Sequence, residues 1–296
     1  GAVGILGSQG SFIAAAAADT LEELETPWIG LSTGAKTIID NGQDPNWMFR
    51  VSSNDPWVAE FLVRWATEKL GKENIGILNE DTGWGVPAID DLRAALSQKG
   101  LEPTSVDKVK VGDTDFTAQM LRAKEAGSEV LATFINSVEM ANALKAGQKI
   151  GYLPQIVSAW GLGNPNYITL APDLGQGTLV MQTFTWVNAE SPKAINLFER
   201  YKAKWGVEDP AAIPNPSYTA DAYDATHLFA LAIETAGEAN GSAIRDALEN
   251  LPTYEGLIKT YEPAFTPDRH DALLPEDYLM CQWVEDKLVS VGTLKD

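Results

Sequence analysis

Residues 2–20 read AVGILGSQGSFIAAAAADT. A short apolar run (Val3, Ile5, Leu6) enters a turn punctuated by Gly7 and Gly10, and Ser11 then opens an alanine-rich helical stretch. A strand that feeds a helix through a glycine turn leaves backbone N–H groups and a hydroxyl at the positive end of the helix, a ready seat for an anion. The turn is not a nucleotide loop, because no Gly-Lys-Ser/Thr follows it. The alternative is that Ser11 serves only as a helix N-cap.

Working outward, the same strand-then-helix order repeats. Apolar strand-like runs fall at residues 2–6, 28–31, 74–78, 106–109, 130–135, 155–158 and 178–185. Helical patterns lie between most of them, at 56–70, 87–99, 116–127 and 138–151, and later at 192–205, 218–236 and 241–250. Pro87 stands at a first helical turn, with Gly100 as the stop. Asp115 and Ser137 are the expected N-caps of two others. Residues 263–291 read as short strands and turns. Such alternation predicts an α/β fold with parallel sheets flanked by helices. Ligands on such sheets bind beyond the carboxyl ends of the strands. The candidate positions are therefore 7–11, 32–34, 81–85, 136–137, 160–161 and 182–186.

Composition limits the function. The chain has 296 residues, 22 basic and 41 acidic, for a net charge of −19. That balance argues against nucleic acid or an anionic membrane surface as partner. With one cysteine, Cys281, and two histidines, His227 and His270, a disulfide framework within one chain is excluded and a Cys/His zinc site is disfavoured. No cofactor or metal is expected. Cys281 lies in an apolar run and reads as a buried, inert thiol. No run of 18 apolar residues and no signal-peptide pattern is present. Neither histidine is tied by spacing to Ser11, so a hydrolytic site is not indicated. The run Asp268-Arg269-His270-Asp271 reads as a solvated turn.

Six blocks, in order, carry a resemblance: GSQGSF (7–12), TPWIGLST (26–33), FRVSSND (49–55), IGILNEDTGWG (75–85), GDTDFTAQM (112–120) and YDATHLFALAIETAG (223–237). Together they resemble the type I periplasmic solute-binding proteins of the leucine/isoleucine/valine-binding family. The matching family blocks are a G-x-x-S turn, P-x-I-S-P-S-A-T, FR…D, a strand plus YG, DF, and YDA…A…G. The resemblance implies two α/β lobes, the first formed by residues 1–54 and 183–255 and the second by 55–182 and 256–296, with the crossings as a hinge. In the family, two further strands and helices precede the block that starts here. Their absence implies a truncated fragment, or a first segment supplied by another polypeptide or another copy, with an open strand edge at residues 2–6.

The resemblance also implies a site. Ser11 matches the serine that grips a ligand carboxylate in the first lobe, and Ser32, Thr33 and Gly34 match the S-A-T stretch that completes the grip. In the second lobe Trp84 replaces a tyrosine that packs on the ligand, Asn136 replaces another aromatic, and Trp160 replaces the glutamate that pairs with a ligand ammonium. A buried ammonium without a carboxylate partner costs several kcal/mol. A cation–π contact returns only about 0.5–2 kcal/mol. The expected ligand is therefore a small carboxylate, an aromatic acid above all, with its ring between Trp84 and Trp160. An amino acid returns as ligand if Glu80, Asp81 or Glu139 takes the ammonium. The implied role is the extracytoplasmic binding component of an ABC importer, with a membrane permease as partner. The alternatives are a binder of branched-chain or other amino acids, a sensor or receptor ectodomain, and, least favoured, an enzyme.

Overall fold

The computed structural model describes residues 1–7 and 10–296; Ser8 and Gln9, in the middle of the GSQGSF turn, lie outside the described residues. Two units emerge, Gly1–Asn54 with Tyr218–Asp277, and Asp55–Ser217 with Tyr278–Asp296. The first unit begins with β1 (Ile5–Leu6), α1 (Ser11–Glu23), β2 (Trp28–Gly30) and β3 (Met48–Arg50). The second follows with α2 (Asp55–Arg64), β4 (Ile75–Glu80), α3 (Pro87–Gln98), β5 (Val106–Val109), α4 (Thr117–Glu125), β6 (Val130–Thr133), α5 (Ser137–Lys149), β7 (Gln155–Ser158), α6 (Asn166–Leu170), β8 (Leu179–Gln182) and α7 (Pro192–Trp205). The chain returns to the first unit for α8 (Pro216–Ala236, whose opening two residues still belong to the second), α9 (Gly241–Leu248), β9 (Tyr254–Glu255) and β10 (Thr260–Tyr261). It ends in the second with β11 (Leu279–Val284) and β12 (Lys287–Gly292).

In the first unit β1, β2 and β3 form a parallel sheet in that order. The alanine-rich α1 buries Ser11, Ala14, Ala18 and Leu21, one stripe at helical spacing, and packs with Trp28, Ile38 and Met48. Small side chains on that stripe let the helix lie close to the sheet, and full burial of Leu21 is worth about 2 kcal/mol. Phe12 and Ile13 fall off the stripe and are exposed, as is Ile5 at the β1 edge. No strand pairs with the outer edge of β1 among the described residues.

The second unit is built on one seven-stranded sheet, ordered β12-β11-β8-β7-β6-β4-β5. The five strands from β8 to β5 are parallel, and the β11–β12 hairpin adds on antiparallel beside β8. Phe116, Met120, Met140, Leu144, Tyr167 and Ile168 pack with Leu78, Leu131 and Val180 in the apolar core. From β4 the chain proceeds outward to β5, then returns past β4 to β6 and continues to β7 and β8. The strand order thus reverses between β4 and β6. At such a reversal the flanking connections leave on opposite faces, and a crevice opens beyond the strand ends.

The second and third crossings lie after residues 217 and 277, not after 182 and 255 as the sequence reading has them. Residues 183–217 are tied to the second unit: the Thr183 N–H donates to Ser217 Oγ at 3.0 Å, Thr185 Oγ1 donates to the Leu288 carbonyl at 2.8 Å, and Lys287 pairs with Asp209 at 3.4 Å. Residues 256–277 are tied to the first: Asp224 accepts from the Leu257 and Ile258 N–H groups at 2.6 and 2.9 Å, and the Arg50 N–H donates to the His270 carbonyl at 2.9 Å. The helix starts also shift. Phe116 rather than Asp115, and Asn136 rather than Ser137, occupy the N-cap positions of α4 and α5. Asp115 still accepts from the Thr117 N–H at 2.9 Å, which serves the same orphan donor from one residue further out.

Candidate functional site

In the first unit the site residues meet at the start of α1. Gly10, at φ 101°, is the N-cap, and no side chain among the described residues caps the helix. Ser11 is therefore not the cap but the first helical residue. It is nearly buried, and its Oγ accepts the Ala35 N–H at 3.1 Å. A hydroxyl that accepts one hydrogen bond still has a proton to donate, the property a carboxylate seat requires. The Gly10 N–H donates to the Ser32 carbonyl at 3.1 Å, which fixes the 32–35 loop against the helix start.

That loop is held from behind by Arg50 of β3, which is fully buried. Its Nη1 donates to the carbonyls of Thr33, Gly34 and Ala35 at 2.9, 3.0 and 3.1 Å, and its Nε donates to Asp271 Oδ1 at 2.6 Å. One guanidinium gathering three successive carbonyls sets the direction of the whole loop. Arg50 was not among the residues singled out from sequence, although the FR pair lies inside one of the quoted blocks. Thr33 differs from expectation. Its N–H goes to Ser52 Oγ at 3.3 Å, and its hydroxyl is buried without a hydrogen-bond partner among the described residues. A Cβ on Gly30 would lie 2.3 Å from Thr33 Oγ1, so the side chain turns toward β2 and its glycine is required there. Ser32, partly exposed, and the backbone of Gly34, buried, remain as loop contributors to the seat.

In the second unit Trp84, Asn136 and Trp160 follow the ends of β4, β6 and β7, astride the strand-order reversal. Trp84 stands in a turn where Thr82 Oγ1 accepts the N–H groups of Trp84 and Gly85, at 3.4 and 3.1 Å. Its indole Nε1 donates to Asp55 Oδ1 at 3.3 Å. The Trp84 and Trp160 rings are 5.2 Å apart at 42°, and Phe134 lies 5.6 Å from Trp84 and 6.4 Å from Trp160. A third ring needs about 7 Å between two others, since each ring contact takes about 3.5 Å. The two indoles therefore do not form opposing jaws for a ligand ring. They touch and, with Phe134, make one aromatic wall, of which Trp84 is the more exposed part and Trp160 is buried. Phe134 was missed in the sequence because it sits at the end of an apolar strand, where a core residue is the ordinary reading.

The three carboxylates near the strand ends are engaged. Glu80 is buried; its Oε1 accepts the Asn136 N–H at 2.7 Å and its Oε2 accepts from Asn136 Nδ2 at 3.1 Å. Burial pushes the Glu80 carboxyl above the usual range, and the two Asn136 bonds only partly oppose this. Glu139 is buried and accepts the Gly112 N–H at 3.2 Å. Asp81 pairs with Lys108 at 2.8 Å on the surface.

The run at 268–271 is not a solvated turn. His270 and Asp271 are buried in the first unit: Asp271 takes Arg50, and His270 Nδ1 and Nε2 face the Met48 carbonyl and Glu249 Oε1 at 2.8 and 3.0 Å. Burial lowers the His270 pKa, and the contact with Glu249 opposes that shift. His227 is exposed on α8, beside Tyr223 and Tyr254. Among the described residues no three His, Cys, Asp or Glu side chains could share a metal, and no helix is long and apolar enough to cross a membrane.

Known proteins agree with this architecture. The chain is 25% identical over 247 residues to Leu/Ile/Val-binding protein homolog 3 of Brucella melitensis, a match that covers 82% of this chain and 63% of the relative. A type 1 periplasmic binding protein from Bordetella pertussis superposes with a TM-score of 0.85 at 23% identity, covering 98% of this chain and 80% of that one. A solute-binding protein of an ABC transporter from Rhodopseudomonas palustris, solved with 4-hydroxybenzoate, gives 0.79 at 19%, covering 98% and 77%. At these identities the solved structures establish the fold. A family description, periplasmic binding protein, matches residues 1–287. The chain accordingly belongs to the periplasmic binding protein family.

Proposed function

We propose that this chain is the extracytoplasmic binding component of an ABC importer and that its ligand is a small aromatic carboxylate. In this reading the first unit takes the carboxylate, through the Ser11 hydroxyl and the amides of residues 32–34, and the second takes the ring. A membrane permease would be the partner that receives the ligand. The observation that supports the aromatic choice is the Trp84–Phe134–Trp160 wall at the strand-order reversal, with Glu80 already committed to Asn136. An apolar wall with few polar groups favours a flat, weakly polar body over a zwitterion, whose ammonium would need a carboxylate. The Rhodopseudomonas palustris neighbour solved with 4-hydroxybenzoate is in keeping with that choice.

The second reading, a branched-chain amino acid, is favoured by the name of the Brucella melitensis relative. Isothermal titration of the purified chain with benzoate, hydroxybenzoates and leucine separates the two. Tight leucine binding with no heat from the aromatic acids refutes the aromatic reading. The edge of β1, which no strand pairs among the described residues, supports a further proposal, that a strand from a second copy or another polypeptide completes the sheet. Light scattering after size exclusion tests the second-copy form: a mass that stays at one chain across concentration rules it out.

A further inference from the structure

Asparagine at a helix N-cap ordinarily turns its side chain onto the helix's free amides. Asn136 is the N-cap of α5, yet its side chain makes no capping bond. It is held by the Glu80 carboxylate instead, which takes its backbone N–H on one oxygen and its Nδ2 on the other. A carboxylate only accepts, so it selects the amide's donor end and leaves Oδ1, an acceptor, on the opposite side. That oxygen stands next to the aromatic wall. A Cβ placed on Gly161 would lie 3.2 Å from Asn136 Oδ1 and 3.1 Å from Trp84 Cη2, so the amide oxygen and the indole edge converge over the same glycine. Asn136 itself is exposed, while Trp160 beside it is buried.

We propose that Asn136 Oδ1 is the acceptor for a hydroxyl on the ring of the bound acid, so that the protein selects hydroxylated aromatic carboxylates over bare ones. Glu80 is the positioning residue that fixes the amide in that sense. This rests on the aromatic-acid reading given above. When the ring covers Asn136, an acceptor cut off from water without a donor weakens binding, and a phenolic O–H restores the lost bond. A methoxy group, which has no proton to give, does not.

The test is calorimetric titration of the full chain with benzoate, 3-hydroxybenzoate, 4-hydroxybenzoate and 4-methoxybenzoate. One of the hydroxybenzoates is expected to bind about tenfold or more tightly than benzoate, with 4-methoxybenzoate no tighter than benzoate. Asn136→Leu is expected to bring all four to within about threefold of one another, by tightening benzoate and 4-methoxybenzoate, which no longer bury an unpaired acceptor, and weakening the favoured hydroxybenzoate. Glu80→Gln, whose amide can present either end to Asn136, is expected to lose most of the hydroxyl preference, read as the ratio of hydroxybenzoate to benzoate affinity. Equal binding of benzoate and both hydroxybenzoates by the unmodified chain overturns the inference and leaves the aromatic reading intact. A preference that survives in folded Asn136→Leu overturns it too. Silence from all four acids refutes the aromatic reading, and the inference with it. Should the variants fail to fold, the hydroxy-to-methoxy ratio of the unmodified chain decides.

Discussion

Replacing Asp271 with asparagine removes the only carboxylate that the fully buried Arg50 touches among the described residues. Loss of one partner of a buried ion pair costs about 3–5 kcal/mol, because the remaining charge stays in a poorly solvating interior. Three main-chain carbonyls still hold Nη1, and the asparagine Oδ1 can still accept from Nε, so Asp271→Asn belongs at the lower end of that range. Asp271→Ala, which deletes the acceptor as well, belongs at the upper end. The first unit has roughly 110 residues, and at the usual unfolding entropy per residue a loss of about 3 kcal/mol lowers its melting point by about 10–15 °C. Differential scanning calorimetry reads this directly. Replacing both partners by apolar residues, often harmless for a buried pair, is expected to fail here. Arg50→Met with Asp271→Leu strands three carbonyls, each costing about 1–3 kcal/mol. A melting point for Asp271→Asn within about 3 °C of the unmodified chain, or recovery in the double variant, would show that this reasoning about Arg50 is wrong.

Three other outcomes are expected. Because burial raises the Glu80 carboxyl above its unfolded value, its contribution to stability is full below the unfolded carboxylate range and is lost as pH rises through the raised value; Glu80→Gln should therefore gain on the unmodified chain in urea midpoint between about pH 4 and pH 7. A difference that does not change with pH contradicts this. Burial also pushes the Cys281 thiol far up, so a thiol reagent at pH 8 should label the unfolded chain and leave the native one untouched; rapid native labelling would show that the residue is accessible. Gly161→Ala would bring a Cβ to 2.4 Å from the Ile135 carbonyl, and a loss of about 1–3 kcal/mol with altered tryptophan fluorescence is expected in urea melts. Unchanged stability and emission would mean that the close approach is absent in solution.

Much of the frame is legible from local chemistry. The β5 and β7 runs, rich in branched side chains, form where they are read, and α7 is bracketed by Ser191, whose Oγ caps it through the Ala194 N–H, and by Gly206 in the left-handed region. What escapes is set by partners distant in sequence. Met48–Arg50 carries too short a pattern to announce a strand and becomes one by pairing with β2. The charged run at 268–271 looks like surface until Arg50, Met48 and Glu249, from elsewhere in the chain, are brought to it. The positions of Trp84, Asn136 and Trp160 beyond strand ends follow from alternation alone. Their arrangement as a single wall does not, because ring-to-ring distance depends on how the turns after β4 and β7 fold back. Nor does the orientation of the Asn136 amide, which depends on a carboxylate 56 residues earlier in the chain.

The β11–β12 hairpin has a consequence for biogenesis. The final strands close the β8 edge of the large sheet, and Trp283, almost wholly enclosed, donates its indole N–H to the Leu162 carbonyl at 2.9 Å. The smaller unit, too, waits for its late residues, since Arg50 has no carboxylate until Asp271 has been synthesised. Ribosomal synthesis is vectorial, and contacts of this sequence separation form late. A nascent chain stalled at residue 250 should thus be cleaved by protease more readily than the chain that carries the β11–β12 hairpin and Asp271.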